Sequence, residues 1–170
     1  TIIFRPLPCR YLSHLGLQET LGSLPCGTLN QRVKICLKDP KRITPQKSYI
    51  RWERIIFDGS NINGSFPELF SLGKIKKLSF ETCAFLNFPQ HVGSIIRVTG
   101  NQLDLEVKRC SFDNIIPQDA IISDGLSSKI KDNDIQSLRI IIQDSETTRS
   151  GSLLKLKNFM GSVQIINVSI

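Results

Sequence analysis

Apolar positions from Trp52 to Pro117 recur in a spacing that suits neither a helix nor a plain strand. The segment Ile75-Lys-Lys-Leu78-Ser-Phe80-Glu-Thr-Cys83-Ala-Phe85-Leu-Asn-Phe88-Pro89 reads I-x-x-L-x-F-x-x-C-x-F-x-x-F-P. Leu78 and Phe80 alternate with the period of two that turns side chains inward from a short strand, and Cys83 and Phe85 turn inward again beyond a corner. A chain that folds back in this way buries its inner face only by stacking on a copy of itself.

Copies stand on both sides. Ile55-x-Phe57-x-x-Ser60-x-Ile62 precedes the segment, and Leu105-x-Val107-x-x-Cys110-x-Phe112 follows it. The alignment predicts four interior columns: Ile55, Leu78 and Leu105; Phe57, Phe80 and Val107; Ser60, Cys83 and Cys110; Ile62, Phe85 and Phe112. The period is irregular from one coil to the next, with the slack expected in the loops. Further on, Gly93-Ser-Ile-Ile-Arg-Val98 matches Gly151-Ser-Leu-Leu-Lys-Leu156, and Leu105-x-Val107-x-x-Cys110-x-Phe112 matches Val163-x-Ile165-x-x-Val168-x-Ile170. Both matches share one offset, long enough for two coils, and Leu138-Arg-Ile140-Ile-Ile142 is expected to supply the coil between them. A polar loop is expected over 123–134.

Residues 1–50 carry no repeat and hold Pro6, Pro8, Pro25, Pro40 and Pro45. They are expected to form an irregular N-terminal cap, with a short helix near 11–21, a strand over 32–37 and a loop over 38–47. Residues 51–170 form the repeat solenoid. Its last residues, 163–170, lie within a repeat, so the solenoid is expected to continue beyond this chain.

Ile75, Leu78, Phe80, Cys83, Phe85, Phe88 and Pro89 fill every position of L-x-x-L-x-L-x-x-N/C-x-L followed by I/F-P, so the block from Trp52 to Pro117 resembles the leucine-rich repeat superfamily in its divergent extracellular form. The resemblance implies an α/β solenoid whose working surface is its strand face. Gln102 departs from it, standing where the first leucine of the next coil belongs, and no repeat after Pro117 fits. The structural rival is a right-handed parallel β-helix, whose coils carry two or three strands. Both are β-rich solenoids with the same interior columns.

Charge and chemistry refine this expectation without naming a ligand. The 22 basic residues outnumber the 15 acidic ones, for a net charge of +7. Lysines and arginines are spread along the chain, which suits a solvated surface; an anionic ligand or a glycan is the alternative, and nucleic acid is not expected. No apolar run approaches the roughly 20 residues of a membrane span. Cys83 and Cys110 share an interior column and read as buried thiols. Cys9, Cys26 and Cys36 precede the repeats and are candidates for a disulfide-stapled cap, with one thiol left over. His14 and His91 are the only histidines and lack metal-like spacing. No nucleotide-binding, serine-hydrolase or zinc-protease motif occurs. Asp58, Glu81 and Glu106 are the carboxylates a polysaccharide-processing β-helix would use, but the strand pattern does not make them converge. No catalytic residue, metal or cofactor is therefore assigned.

Asn63-Gly64-Ser65 and Asn167-Val168-Ser169 are N-glycosylation sequons. With the cap cysteines they point to an extracellular or cell-surface setting. The expected function is non-enzymatic recognition of a protein partner by a receptor or adhesion-type module. Asp58, Lys77, Ser79, Glu81, Thr82, Glu106, Lys108 and Arg109 would form the strand-face contact surface. A β-helix that binds or processes polysaccharide and an intracellular repeat scaffold are the alternatives.

Overall fold

An alternating strand buries every second side chain, and Ile50-x-Trp52, Leu78-x-Phe80, Leu103-x-Leu105-x-Val107 and Leu138-x-Ile140-x-Ile142 each place an apolar residue inward at that period. A computed structural model of the chain describes residues 2–4, 27–29, 32–37, 49–72, 75–90, 92–98, 102–124, 137–156 and 161–170. Among these residues there are strands and no helix: β1 (Ile2–Phe4), β2 (Gly27–Leu29), β3 (Arg32–Cys36), β4 (Tyr49–Glu53), β5 (Ile55–Asp58), β6 (Phe66–Leu72), β7 (Lys77–Glu81), β8 (Ala84–Phe88), β9 (Val92–Val98), β10 (Gln102–Lys108), β11 (Ser111–Ile115), β12 (Ala120–Asp124), β13 (Ser137–Gln143), β14 (Glu146–Thr148), β15 (Leu154–Lys155) and β16 (Gly161–Ile166).

These strands build three sheets. Sheet A has the order β1-β4-β7-β10-β13-β16, sheet B β14-β11-β8-β5-β3-β2, and sheet C β15-β12-β9-β6. All pairings are parallel except that of β2 with β3. The chain visits A, B and C in turn through β4-β5-β6, β7-β8-β9, β10-β11-β12 and β13-β14-β15, and β16 returns to A. It is a β-solenoid with three strands in each of these coils.

The two-coil correspondence toward the C-terminus holds in the ladders. Leu105 pairs with Ile140 and Ile140 with Val163, while Ile96 pairs with Ile122 and Ile122 with Leu154. The expected register of the first coil is corrected. Ile50 and Trp52, not Ile55 and Phe57, lie beside Leu78 and Phe80. Phe57 instead pairs with Phe85 in sheet B, and Ile56 with Ala84. Ser60 is exposed and joins no interior column. The slip arises because each coil repeats one inward pair in sheet A and another in sheet B at a fixed distance, as in Leu78-x-Phe80 and Cys83-x-Phe85. Shifting a coil by that distance lays one sheet's pattern over the other's.

The corner between A and B is built the same way each time. Arg54, Thr82, Arg109, Asp144 and Asn167 all have φ between 49° and 58°. Each of the first four donates its backbone N–H to the next coil: Arg54 to Glu81, Thr82 to Lys108, Arg109 to Gln143 and Asp144 to Ile166, at 2.9–3.0 Å. A single left-handed residue turns the chain by the same amount in every coil, which keeps the following columns aligned. Asn87, Asn114 and Arg149, at the end of the sheet B segment, are left-handed too. There the amides form a ladder along the solenoid axis: Asn114 Nδ2 donates to Asn87 Oδ1 (3.1 Å), and Asn87 Nδ2 donates to Asp58 Oδ1 (3.2 Å).

The interior is aromatic at its centre. Phe57, Phe85 and Phe112 stack face to face at 5.0 and 5.1 Å, with interplanar angles of 15° and 6°. Phe80 of sheet A and Phe70 of sheet C meet this stack edge-on, and Trp52 packs against Phe57 and Phe70. One aromatic cluster thus ties the three sheets together. In sheet C the strict alternation breaks: Leu69 and Phe70, Ile95 and Ile96, and Ile121 and Ile122 are consecutive pairs within the core. The backbone bends at that point, for Ile121 and Ile122 both donate to the same neighbouring segment, to Ser152 and Leu153 at 2.9 Å.

Cys83 and Cys110 are buried free thiols, as the column predicts. Cys83 Sγ donates to Trp52 O and Cys110 Sγ to Phe80 O, at 3.5 and 3.6 Å. Burial pushes the Cys110 thiol well above its ordinary range, and the adjacent Cys83 raises it further. These are interior rungs rather than reactive groups. No disulfide occurs among the described residues. Cys36 ends β3, the strand expected there, whereas Cys9, Cys26, the expected helix near 11–21 and the loop over 38–47 lie outside the described residues. Within 1–50, β1 joins sheet A and β3 joins sheet B. No helix among the described residues is long and apolar enough to cross a membrane.

Phe85 sits in the middle of the aromatic stack, so Phe85→Ala is expected to cost about 3–5 kcal/mol in urea unfolding. Asn87 both donates and accepts in the amide ladder and holds a left-handed backbone. Asn87→Ala is expected to cost about 2–3 kcal/mol, and Asn87→Gly, which keeps the backbone freedom, less.

Candidate recognition face

Residues between the inward ones of sheet A point outward by the same period of two. Strand pairing stacks them into columns across the coils: Tyr49, Lys77, Asp104 and Arg139; Arg51, Ser79, Glu106 and Ile141; Glu53, Glu81, Lys108 and Gln143. Five of the sequence-predicted residues, Lys77, Ser79, Glu81, Glu106 and Lys108, therefore share one surface. Thr82 and Arg109 flank it at the left-handed corner. Asp58 does not belong to it: it lies in β5 of sheet B, is 3% exposed, and its Oδ1 accepts from Ser60 N (3.0 Å) and Asn87 Nδ2 (3.2 Å). Asp58 stabilises a corner.

The charges on this face are interleaved. Glu81 lies between two arginines, accepting from Arg51 Nη2 through Oε2 and from Arg109 Nη2 through Oε1. Glu106 lies between two lysines, with Lys77 Nζ at 2.8 Å from Oε1 and Lys108 Nζ at 3.5 Å from Oε2. Arg51 also reaches Glu53 at 3.5 Å. Glu81 and Glu106 each bridge two cations from their own or neighbouring coils, so the face presents alternating sign rather than a single-sign field. Ser79, in the column between Arg51 and Glu106, is only 7% exposed. The contact area belongs to the long side chains around it.

Arg51 and Glu53 are functional candidates that the sequence pattern did not single out. Their signal is present, since Tyr49-x-Arg51-x-Glu53 alternates with Ile50 and Trp52. The register slip in the first coil leaves that strand outside the repeat.

Two further polar groupings have no sequence signature. On sheet C the hydroxyls of Ser94 and Ser123 lie 2.7 Å apart, Arg97 Nη1 is 3.8 Å from Glu68 Oε2, and Lys155 Nζ donates to Asp119 Oδ1. Burial pushes the Asp119 carboxyl up, but Lys155, with Ser123 and Arg97, holds it below its ordinary value. At the A–B corner of the last coils, Arg109, Cys110, Ser111, Asp144, Ser145, Glu146, Asn167 and Ser169 line an open concavity of about 440 Å³. Asn167 Nδ2 donates there to Asp144 Oδ1 at 3.0 Å. The sequon at Asn167 thus has its amide engaged, whereas Asn63, Gly64 and Ser65 are all exposed. His14 and His91 lie outside the described residues. Asp58, Glu81 and Glu106 occupy different columns, and the two glutamates are each bound by two cations.

Comparison with protein-family models, with curated proteins and with solved structures finds no match to this chain.

Burial raises the Glu106 carboxyl, but hydrogen bonding and attraction from Lys77, with a smaller contribution from Lys108, bring it below the ordinary glutamate value. A depressed folded-state value stabilises the fold above the ordinary glutamate range, and this contribution fades as the pH falls through the folded-state value. Lys77→Met is expected to raise the pH at which Glu106 titrates by side-chain NMR and to shift acid unfolding to higher pH. Titration of Glu106 at the same pH in both proteins would show that the pair does not form in solution.

Proposed function

We propose that this chain is a non-enzymatic recognition module that binds a protein partner through the outer face of sheet A. The observation that carries the reading is the interleaving of Arg51, Lys77, Lys108 and Arg109 with Glu53, Glu81 and Glu106 on one stacked surface. Alternating charge at fixed inter-strand spacing favours a partner of complementary mixed charge and penalises a mismatched one. A uniform polyanion would meet a carboxylate beside every cation. The rigid ladder beneath holds the side chains in register, which limits the ordering cost on binding.

The three-strand coil and the absence of helix among the described residues favour the parallel β-helix over the leucine-rich repeat, in which each strand is followed by a helical or irregular segment. Its crossovers are expected to be right-handed, following the general rule for parallel strands. An extracellular or cell-surface setting is supported by the exposed Asn63 sequon. Glycan binding is a second reading, favoured by the polar concavity around Arg109, Asp144, Glu146 and Asn167.

Both readings meet in one experiment, screening the chain against arrays of ectodomains and glycans. An ectodomain binder is expected whose affinity falls about tenfold or more, about 1.4 kcal/mol, in the double variant Lys77→Glu/Lys108→Glu with melting behaviour retained. A glycan binder lost in Asp144→Asn but retained by the face variant would favour the second reading. Binding indifferent to both changes would sink the assignment of the surface.

A further inference from the structure

Two dipeptides ending in glycine stand close together in the chain, Asp58-Gly59 and Asn63-Gly64, and the fold treats them in opposite ways. Before a glycine, an asparagine or aspartate side chain can be attacked by the following backbone nitrogen, because no Cβ crowds that nitrogen and the backbone rotates freely. The reaction requires an N–H that is not committed to a hydrogen bond and space for a five-membered ring.

Asp58-Gly59 has neither. The Asp58 carboxylate is buried and accepts from Ser60 N and Asn87 Nδ2, while Gly59 N donates to Leu86 O at 2.9 Å within the inter-coil ladder. A methyl at Gly59 would come within 2.9 Å of Asn87 O. At Asn63-Gly64 no acceptor among the described residues engages the Gly64 N–H, and the space is open. Ile62 is buried and its N–H donates to Gly59 O at 3.0 Å, anchoring the turn, and the chain then emerges with Asn63, Gly64 and Ser65 exposed. A methyl at Gly64 would meet nothing within 4 Å. This loop is longer than its counterpart in the next coil: Gly59 corresponds to Asn87 and Phe66 pairs with Val92, so 59 to 66 spans what 87 to 92 spans beside it. It lies between β5 and β6, off the ladders.

We propose that Asn63 is a site of spontaneous deamidation, a modification that the solenoid permits at Asn63-Gly64 and blocks at Asp58-Gly59. The Gly64 nitrogen loses its proton to solvent base and attacks Asn63 Cγ. The new N–Cγ bond forms as the Cγ–Nδ2 bond breaks, and Nδ2 leaves as ammonia after protonation. Water then opens the cyclic imide. Attack at Cγ gives aspartate, and attack at the main-chain carbonyl gives isoaspartate, with one extra methylene in the backbone. No electrons are transferred and water is the only co-reactant. The product adds a negative charge to the loop and removes the amide that a glycan would use, so glycosylation and deamidation exclude one another at this residue. The proposal does not depend on the recognition reading.

The other asparagines in the ladders are held. Asn87 and Asn114 amides bond along the axis, and Asn167 donates to Asp144 and precedes the β-branched Val168. The test uses the folded, unglycosylated full chain, incubated in mildly alkaline buffer and followed by peptide mapping with isoaspartate-specific methyl labelling. Asn63 is expected to gain acid progressively while Asn87, Asn114 and Asn167 remain amides. Gly64→Val, which keeps the sequon, is expected to slow conversion about tenfold or more because a β-branched neighbour crowds the attacking nitrogen. Isoaspartate at Asp58 is expected only in urea-unfolded chain. Asn63 remaining an amide in the folded chain, equal rates in Gly64→Val, or isomerisation of Asp58 as fast in the folded as in the unfolded chain would each overturn the proposal.

Discussion

Each coil of this molecule satisfies its backbone hydrogen bonds by pairing with the coils before and after it. A strand in such a ladder cannot shift by one residue without turning every inward side chain outward. The columns are therefore coupled to one another through the corners. The single left-handed residue at Arg54, Thr82, Arg109, Asp144 and Asn167 carries the register of sheet A into sheet B without loss. Left-handed backbone is costly for a branched residue such as Thr82, by about 1–2 kcal/mol. The structure tolerates that cost because any other turn would misalign the Phe57, Phe85 and Phe112 stack beyond it.

This coupling explains which parts of the architecture are legible in the chain. Leu78, Phe80, Cys83 and Phe85 announce themselves because two inward pairs flank one corner at constant spacing, and Leu105, Cys110 and Phe112 repeat the arrangement. The match of Leu105 to Val163, two coils on, is readable for the same reason. The first coil misleads because Ile50-x-Trp52-x-x-Ile55-x-Phe57 satisfies the pattern at two registers, and only pairing with β7 distinguishes them. Sheet C is legible only as repeated segments. Its consecutive core pairs, such as Ile95-Ile96 and Ile121-Ile122, follow from a bend in the backbone that no period in the sequence encodes.

The outer face of sheet A inherits its order from the same ladder. Outward residues alternate with inward ones, so once the core register is right Lys77, Glu81, Glu106 and Lys108 must share a surface. Asp58 falls away because it sits beyond the corner, where its carboxylate caps a turn and takes an amide from the next coil. Which charge neighbours which is not readable from one strand, because pairs such as Arg51 with Glu81 and Lys77 with Glu106 form between coils. Individually such exposed pairs contribute roughly 0–1 kcal/mol. Their consequence lies less in stability than in fixing the direction of long side chains that would otherwise move freely.

Length variation is distributed unevenly among the corners, and this separates constant geometry from adaptable surface. From Glu53 to Ile55, Glu81 to Cys83, Lys108 to Cys110 and Gln143 to Ser145 the A–B corner always uses a single intervening residue. The path from sheet B to sheet C instead differs in length between the first two coils. Larger differences lie elsewhere around the coil, since far more chain separates Leu105 from its partner Ile140 than separates Ile140 from Val163. A segment that sets the register cannot accept an insertion without shifting every later column, whereas a loop outside the ladders accepts one at small entropic cost. Exposed chemistry accordingly collects where length is free, as at Asn63. The A–B corner, whose residues all take part in inter-coil bonding, can present side chains such as Arg109 but cannot move them.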